Sequence, residues 1–268
     1  MIRILSILAG LFMTAALAWS LLWGVIAFAG EGLPNTVEKR FHKHPKELAL
    51  ASDGPFGRFD RAQLQRGFAV YSQVCANCHS LKHVAFRDLE ALGYSEAEVK
   101  AIAKARTVTA LDPLSGEVKD RPGMPADHFP KVVYAGKGSP PDLSLITKAR
   151  EEGPAYVYSL LTGYQNPPAN LPKENLPGEG LHYNPYFANL NLAMQPPLTG
   201  PDMVTYADGT KATPKQMATD VAAFLVWTAE PKLDKRKQAG WAVLGFLIFA
   251  TVLARMAYQN IWAGKKKS

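Results

Sequence analysis

The sequence predicts a mainly α-helical protein: one water-soluble domain with long loops, carried on a C-terminal transmembrane helix. Three observations point there. Apolar residues recur at helical spacing in the middle of the chain, strand signals are scarce, and charge is absent from both ends over long runs. At 268 residues the chain has room for one good-sized core or two small ones.

Residues 4–30, ILSILAGLFMTAALAWSLLWGVIAFAG, contain no charged residue, and neither do residues 239–254. The second apolar run resumes after Arg255 as far as Trp262. Each is long enough to cross a bilayer, which takes about 20 helical residues. Arg3 precedes the first run and Ala27-Phe28-Ala29 closes it, a small-x-small pattern that suits a secretory signal over 1–29 cleaved after Ala29. A retained anchor with interfacial Trp19 and Trp23 is the competing reading. Residues 235–268 read as a permanent anchor with basic flanks, in which Arg255 snorkels toward Lys265–Lys267.

The net charge of +7 comes from the ends. Arg3, Lys235, Arg236, Lys237, Arg255, Lys265, Lys266 and Lys267 carry it with no acid among them, whereas residues 30–234 are close to neutral. The basic balance therefore faces phospholipid and excludes a nucleic-acid reading. With the middle exported, the C-terminus stays in the cytoplasm. The leader lacks an amphipathic, Arg-rich transit character, so the expected site is a bacterial inner membrane with the 30–234 domain in the periplasm.

The soluble part opens with a Pro- and Gly-containing extended stretch to residue 59. Asp60 then caps a helix whose Leu64, Phe68, Tyr71 and Val74 share one face and lead directly into Cys75. Ser95 and Glu98 form a capping box for a second helix over 95–105, with Val99 and Ile102 inward. Residues 107–145 are punctuated by Asp112-Pro113, Arg121-Pro122-Gly123 and Pro140-Pro141 and read as turns. A short helix over 153–163 follows, then a loop over 164–214 whose tyrosines pack on something. Thr213, Pro214 and Gln216 start the last soluble helix, with Met217, Val221, Phe224, Leu225 and Thr228 on one face and Pro231 beyond its end.

Cys75 and Cys78 are the only cysteines, and His79 follows at once. A disulfide across so short a loop removes little chain entropy. A thioredoxin-like pair wants a strand before it, and zinc needs two more ligands that no second cluster supplies. Covalent attachment of one c-type haem explains all three residues: two thiols add to the vinyl groups, and His79 becomes the proximal ligand. The sixth position decides the chemistry, since an open site binds small ligands and a Met or His closes it. His42, His44, His83, His128 and His182 are weak candidates by position. Met203 and Met217 read as packing residues. Met124 and Met194 each sit beside proline, and spacing alone leaves both open.

The segments LQRGFAVYSQVCANCHSLKHVAFRDL, YSEAEVKAIA, PPDLSLITKAR, YVYSLLTGY, NPYFANLNLAMQPPL and DVAAFLVWTAEPKLDKRKQAGW, in this order, resemble cytochrome c1 from about Phe56 into the anchor. The PPDLS and AMQPPL blocks are the most specific. The resemblance implies a class I cytochrome c-like haem domain in a cytochrome bc1 complex, ubiquinol–cytochrome c oxidoreductase. It implies His79 and Met194 as axial ligands, Arg150 and Tyr156 as haem propionate contacts, and Pro141 on the proximal side. It implies cytochrome b and a Rieske iron–sulfur protein as membrane partners, a cytochrome c as acceptor, and a dimeric complex. On that reading the chain moves electrons and has no catalytic acid or base. A tethered mono-haem carrier, or the haem subunit of another dehydrogenase or oxidase, is the alternative, and a gas-binding haem module is a third.

Two features depart from the family pattern. VVYAGKGS over 132–139 is shorter than the usual segment. The acidic residues where a basic acceptor would dock are sparse, leaving Asp88, Glu90, Glu96 and Glu98 as one candidate surface and Glu151 and Glu152 as another.

Overall fold

A computed structural model describes residues 2–31, 36–111, 116–136 and 138–264. It is mainly helical, as expected. Helix α1 runs Ile2–Glu31, α2 Val37–Phe41, α3 Arg61–Gln73, α4 Glu96–Lys104, α5 Ile146–Ala149, α6 Gly153–Leu161, α7 Pro214–Ala229 and α8 Leu233–Trp262.

The core forms where α3, α6 and α7 meet. On α3 the expected face is buried, with Leu64, Phe68 and Tyr71 each at most a few per cent exposed. Asp60 accepts from the Ala62 amide at 2.9 Å, satisfying one of the donors that a helix start leaves open. On α7, Met217, Val221, Phe224, Leu225 and Thr228 are all buried. Phe68, Tyr71, Phe129 and Phe224 interlock at ring-centroid distances of 5.7–6.2 Å, so both long helices share one aromatic cluster. Gly67 lets them approach: a Cβ there would meet the Asp220 carbonyl oxygen and stand 2.6 Å from the Phe224 Cβ. Asp220, fully buried on α7, is held by Arg66 at 3.0 Å. Arg66 also pairs with Asp208 at 2.6 Å, tying the 201–212 loop to the same contact.

The capping box at Ser95 and Glu98 forms in full. At α7 only half forms, because Thr213 caps the Gln216 amide at 3.2 Å while the Gln216 side chain donates instead to Asp220 at 2.9 Å. Four further elements escape the sequence reading. Thr107–Leu111 (β1) and Val118–Pro122 (β2) pair as an antiparallel ribbon where only turns are expected. His182–Tyr183 (β3) and Asn191–Leu192 (β4) make a two-residue ladder inside the long loop. Phe86–Leu92 coils as a 3-10 turn burying Phe86, Leu89 and Leu92, and α2 interrupts the extended stretch with Thr36 as its cap. Ribbons this short are set by tertiary packing rather than by strand propensity.

Two helices, α1 and α8, are long and apolar enough to cross a membrane, and neither is buried by the rest of the chain. Lys265–Lys267, toward which Arg255 is expected to reach, lie outside the described residues. Of the three basic residues opening α8, Arg236 pairs with Glu230 and Lys237 donates to the Ser52 carbonyl at 2.6 Å. Two of those charges thus serve the protein's own junction.

Candidate functional site

Helix α3 ends at Gln73, and the chain tightens into a 3-10 turn over Cys75–Asn77. The Cys75 carbonyl accepts from the Cys78 amide at 3.1 Å and the His79 amide at 2.9 Å. This turn sets both thiols and the imidazole on consecutive steps of one coil. The thiols are half-buried and not bonded to each other. Burial, with Cys78 adding, pushes the Cys75 thiol up to about 12 and keeps it protonated. The Tyr71 hydroxyl reaches forward from α3 to the His79 carbonyl at 3.0 Å, so the helix fixes the turn that follows it.

His79 Nδ1 lies 2.8 Å from the Pro141 carbonyl oxygen. A carbonyl only accepts, so Nδ1 carries the proton and Nε2 presents its lone pair. Burial lowers the His79 pKa, with the Pro141 and Asp142 contacts opposing, which favours the neutral imidazole that a metal ligand requires. Pro141 is in turn held in place by its neighbour. The Asp142 carboxylate accepts from the Lys82 amide at 2.8 Å and the Ser144 amide at 3.0 Å, and the Leu143 amide donates to Ser80 at 2.9 Å. Asp142 is a positioning residue that the sequence reading passes over; it follows directly on the proline in PPDLS.

From Pro141 the site continues along one wall. A shallow groove of about 190 Å³ is lined by Pro141, Leu145, Ile146 and Arg150, among others. Beyond it the Arg150 guanidinium lies beside the Tyr156 hydroxyl, whose pKa burial raises and Arg150 partly restores. Burial likewise raises Tyr164, with Tyr156 adding, and the Tyr164 hydroxyl donates to the Met194 carbonyl at 3.0 Å. His79 is thus bonded to Pro141, Arg150 lies beside Tyr156, and Met194 is held by Tyr164, the residue the sequence reading missed. It closes the YVYSLLTGY segment, one turn beyond α6.

The four methionines within residues 30–234 differ in surroundings. Met217 is 0 % exposed in the α7 core, while Met124 and Met203 stand 51 % and 40 % exposed. Met194 is half-buried between them in character. Its loop is anchored by Asn184, whose side chain donates to the Leu160 carbonyl on α6 at 2.8 Å and accepts from the Tyr186 amide at 3.1 Å. Leu190 takes the left-handed conformation, φ 63°, while fully buried. A left-handed leucine costs about 1 kcal/mol or more, which burial of its side chain offsets. Among the alternative histidines, His42, His44, His83 and His128 are exposed.

These residues fit a haem. Two unbonded thiols, an imidazole with Nε2 available, a half-buried thioether and a cation beside a phenol match the group's vinyls, iron and carboxylates. Three residues of the first candidate acidic surface also have local partners. Asp88 accepts from the Ala85 amide, Glu98 from Ser95, and Glu96 pairs with Lys100 at 2.6 Å. The shortened segment over 132–139 begins pinned to the site through the Val132 amide on Ser80 Oγ at 2.7 Å.

Comparison with known proteins gives a consistent answer. The family model described as Cytochrome C1 family matches residues 50–265. Cytochrome c1 of Rhodospirillum rubrum is 41 % identical over 90 % of this chain and 94 % of its own. Cytochrome c1 of Cereibacter sphaeroides is 38 % identical over 96 % of each chain. The mitochondrial heme protein cytochrome c1 of Saccharomyces cerevisiae is 42 % identical over 83 % of this chain and 74 % of its own.

Proposed function

The chain belongs to the cytochrome c1 family, the haem subunit of the bc1 complex, and from that premise we propose that it relays single electrons from a Rieske iron–sulfur protein to a cytochrome c. It carries a covalent haem c, which supplies one-electron Fe(III)/Fe(II) chemistry when bound. Cys75 and Cys78 would hold it through thioether bonds, and His79 and Met194 would supply the two ligands to its iron. Cytochrome b is its other membrane partner, and the complex is dimeric.

The observation that carries this reading is the His79–Pro141 contact. By holding Nδ1–H at 2.8 Å, the Pro141 carbonyl orients the ring and raises the basicity of Nε2. Tyr164 holds the Met194 backbone. With a thioether as sixth ligand the potential is raised relative to two imidazoles, suiting an acceptor at the high-potential end of a chain. Arg150 and Tyr156 give the propionates a cation and a donor, and the aromatic cluster around Tyr71 and Phe129 keeps water from the back of the turn.

Residues 30–234 form the periplasmic haem domain, 235–268 the single anchor in a bacterial inner membrane, and 1–29 a cleaved leader. The test is the rate of haem reduction by quinol in native membranes, with and without an inhibitor of a Rieske-linked quinol-oxidation site. Fast reduction abolished by the inhibitor is the expected result. Reduction indifferent to it removes the chain from that position.

A further inference from the structure

Where the soluble domain meets α8, the structure builds a second concavity, remote in sequence from every residue assigned above. A groove of about 340 Å³ lies between the 55–58 turn and the first two turns of α8. Its floor is fixed. The Asp234 carboxylate accepts from the Phe59 amide at 3.2 Å, and Lys237 Nζ donates to the Ser52 and Gly57 carbonyls at 2.6 and 3.2 Å. Phe56 stacks on Trp241 with ring centroids 4.9 Å apart and planes within 5°.

The stack is odd for a structural contact, because Phe56 remains 77 % exposed and Trp241 47 % exposed. Such a pair belongs at the level of headgroups, where an aromatic ring faces hydrocarbon on one side and water on the other. Beside it stand Arg58 and Lys235, both exposed, and neither charged end has a partner among the described residues. Asp234, the one acid lining the groove, is turned onto a backbone amide. The groove therefore carries two unpaired cations in excess, next to apolar aromatic surface, at the start of a 30-residue membrane-spanning helix.

We propose that this groove is a binding site for one anionic phospholipid of the outer leaflet. The phosphate lies between Arg58 and Lys235, and an acyl chain runs down α8 past Trp241. Charge complementarity and position at the water–hydrocarbon boundary choose lipid over a protein segment.

The test uses the full-length, haem-bearing chain in its native membrane complex, extracted in mild detergent and titrated with phosphatidylglycerol or phosphatidylcholine. Bound lipid is read by native mass spectrometry after a high-salt wash. Phosphatidylglycerol is expected to be retained in preference to phosphatidylcholine. Each of Arg58→Gln and Lys235→Gln should weaken its retention roughly fivefold. Arg236→Gln, which removes an equal charge paired to Glu230, should leave retention unchanged, and the charge-conserving R58K/K235R pair should keep it. Equal retention of both lipids overturns the proposal, as does full retention in the R58Q/K235Q variant. Displacement of the lipid by inorganic phosphate alone, or a photo-crosslinker at position 235 that captures a protein subunit instead of lipid, also overturns it.

Discussion

The Tyr164 hydroxyl donates to the Met194 carbonyl across 3.0 Å, so a side chain just beyond α6 holds the backbone of a loop thirty residues away. Tyr164→Phe removes that bond and about 1 kcal/mol of restraint on the loop. Methionine ligation should become labile without being lost. The reduced variant is expected to bind CO where the parent does not, with its methionine–iron charge-transfer band weakened on warming.

Met194→Leu asks the prior question. Haem should stay attached through Cys75 and Cys78, while the midpoint potential falls by on the order of 0.1 V, within the range that axial ligands command. Redox titration reads this directly. An unchanged midpoint sinks the ligand assignment, whereas a fall in M194L with no change in Y164F rejects only the tyrosine's part.

Arg150 stands beside Tyr156 at the edge of the site. Arg150→Gln withdraws a positive charge from the propionates and should lower the midpoint by tens of millivolts, with Arg150→Lys recovering part of it. A midpoint unmoved by both substitutions removes Arg150 from any part in propionate binding.

Gly67→Ala tests the core. The new methyl would meet the Asp220 carbonyl oxygen and the Phe224 Cβ, two atoms of a packed helix with nowhere to go. The expected loss is about 3 kcal/mol by denaturant unfolding. A variant as stable as the parent would mean that α3 and α7 separate more easily than their shared cluster implies.

Much of this was legible in the residues. Caps at Asp60, Ser95 and Thr213 mark helix starts because an amide without a partner selects a side-chain oxygen within three residues, and that is local chemistry. Cys75, Cys78 and His79 are legible for the same reason. What escaped depends on distant chain. The β1–β2 ribbon has no alternation to announce it, and Leu190 is left-handed only because its side chain is swallowed by the fold. Asp142 and Tyr164 bond to backbone, so nothing in the identity of their partners signals them from the sequence.

The Arg66–Asp208 pair gives a pH prediction. The Thr210 amide, and then Arg66, hold the Asp208 carboxyl down at about 2, below its unfolded value of roughly 3.9. A depressed folded pKa contributes stability that is present above the unfolded value and lost as pH falls through the folded one. Unfolding midpoints should therefore decline between about pH 4 and about pH 2. Asp208→Asn should flatten that decline without altering the haem spectrum.

Only Glu230, Pro231 and Lys232 separate α7 from α8, and Glu230 is bonded on both sides, to Lys148 at 2.6 Å and to Arg236. Since α7 packs on α3, and α3 runs straight into the cysteine turn, α8 reaches that turn through one short, continuously packed and bonded run of chain.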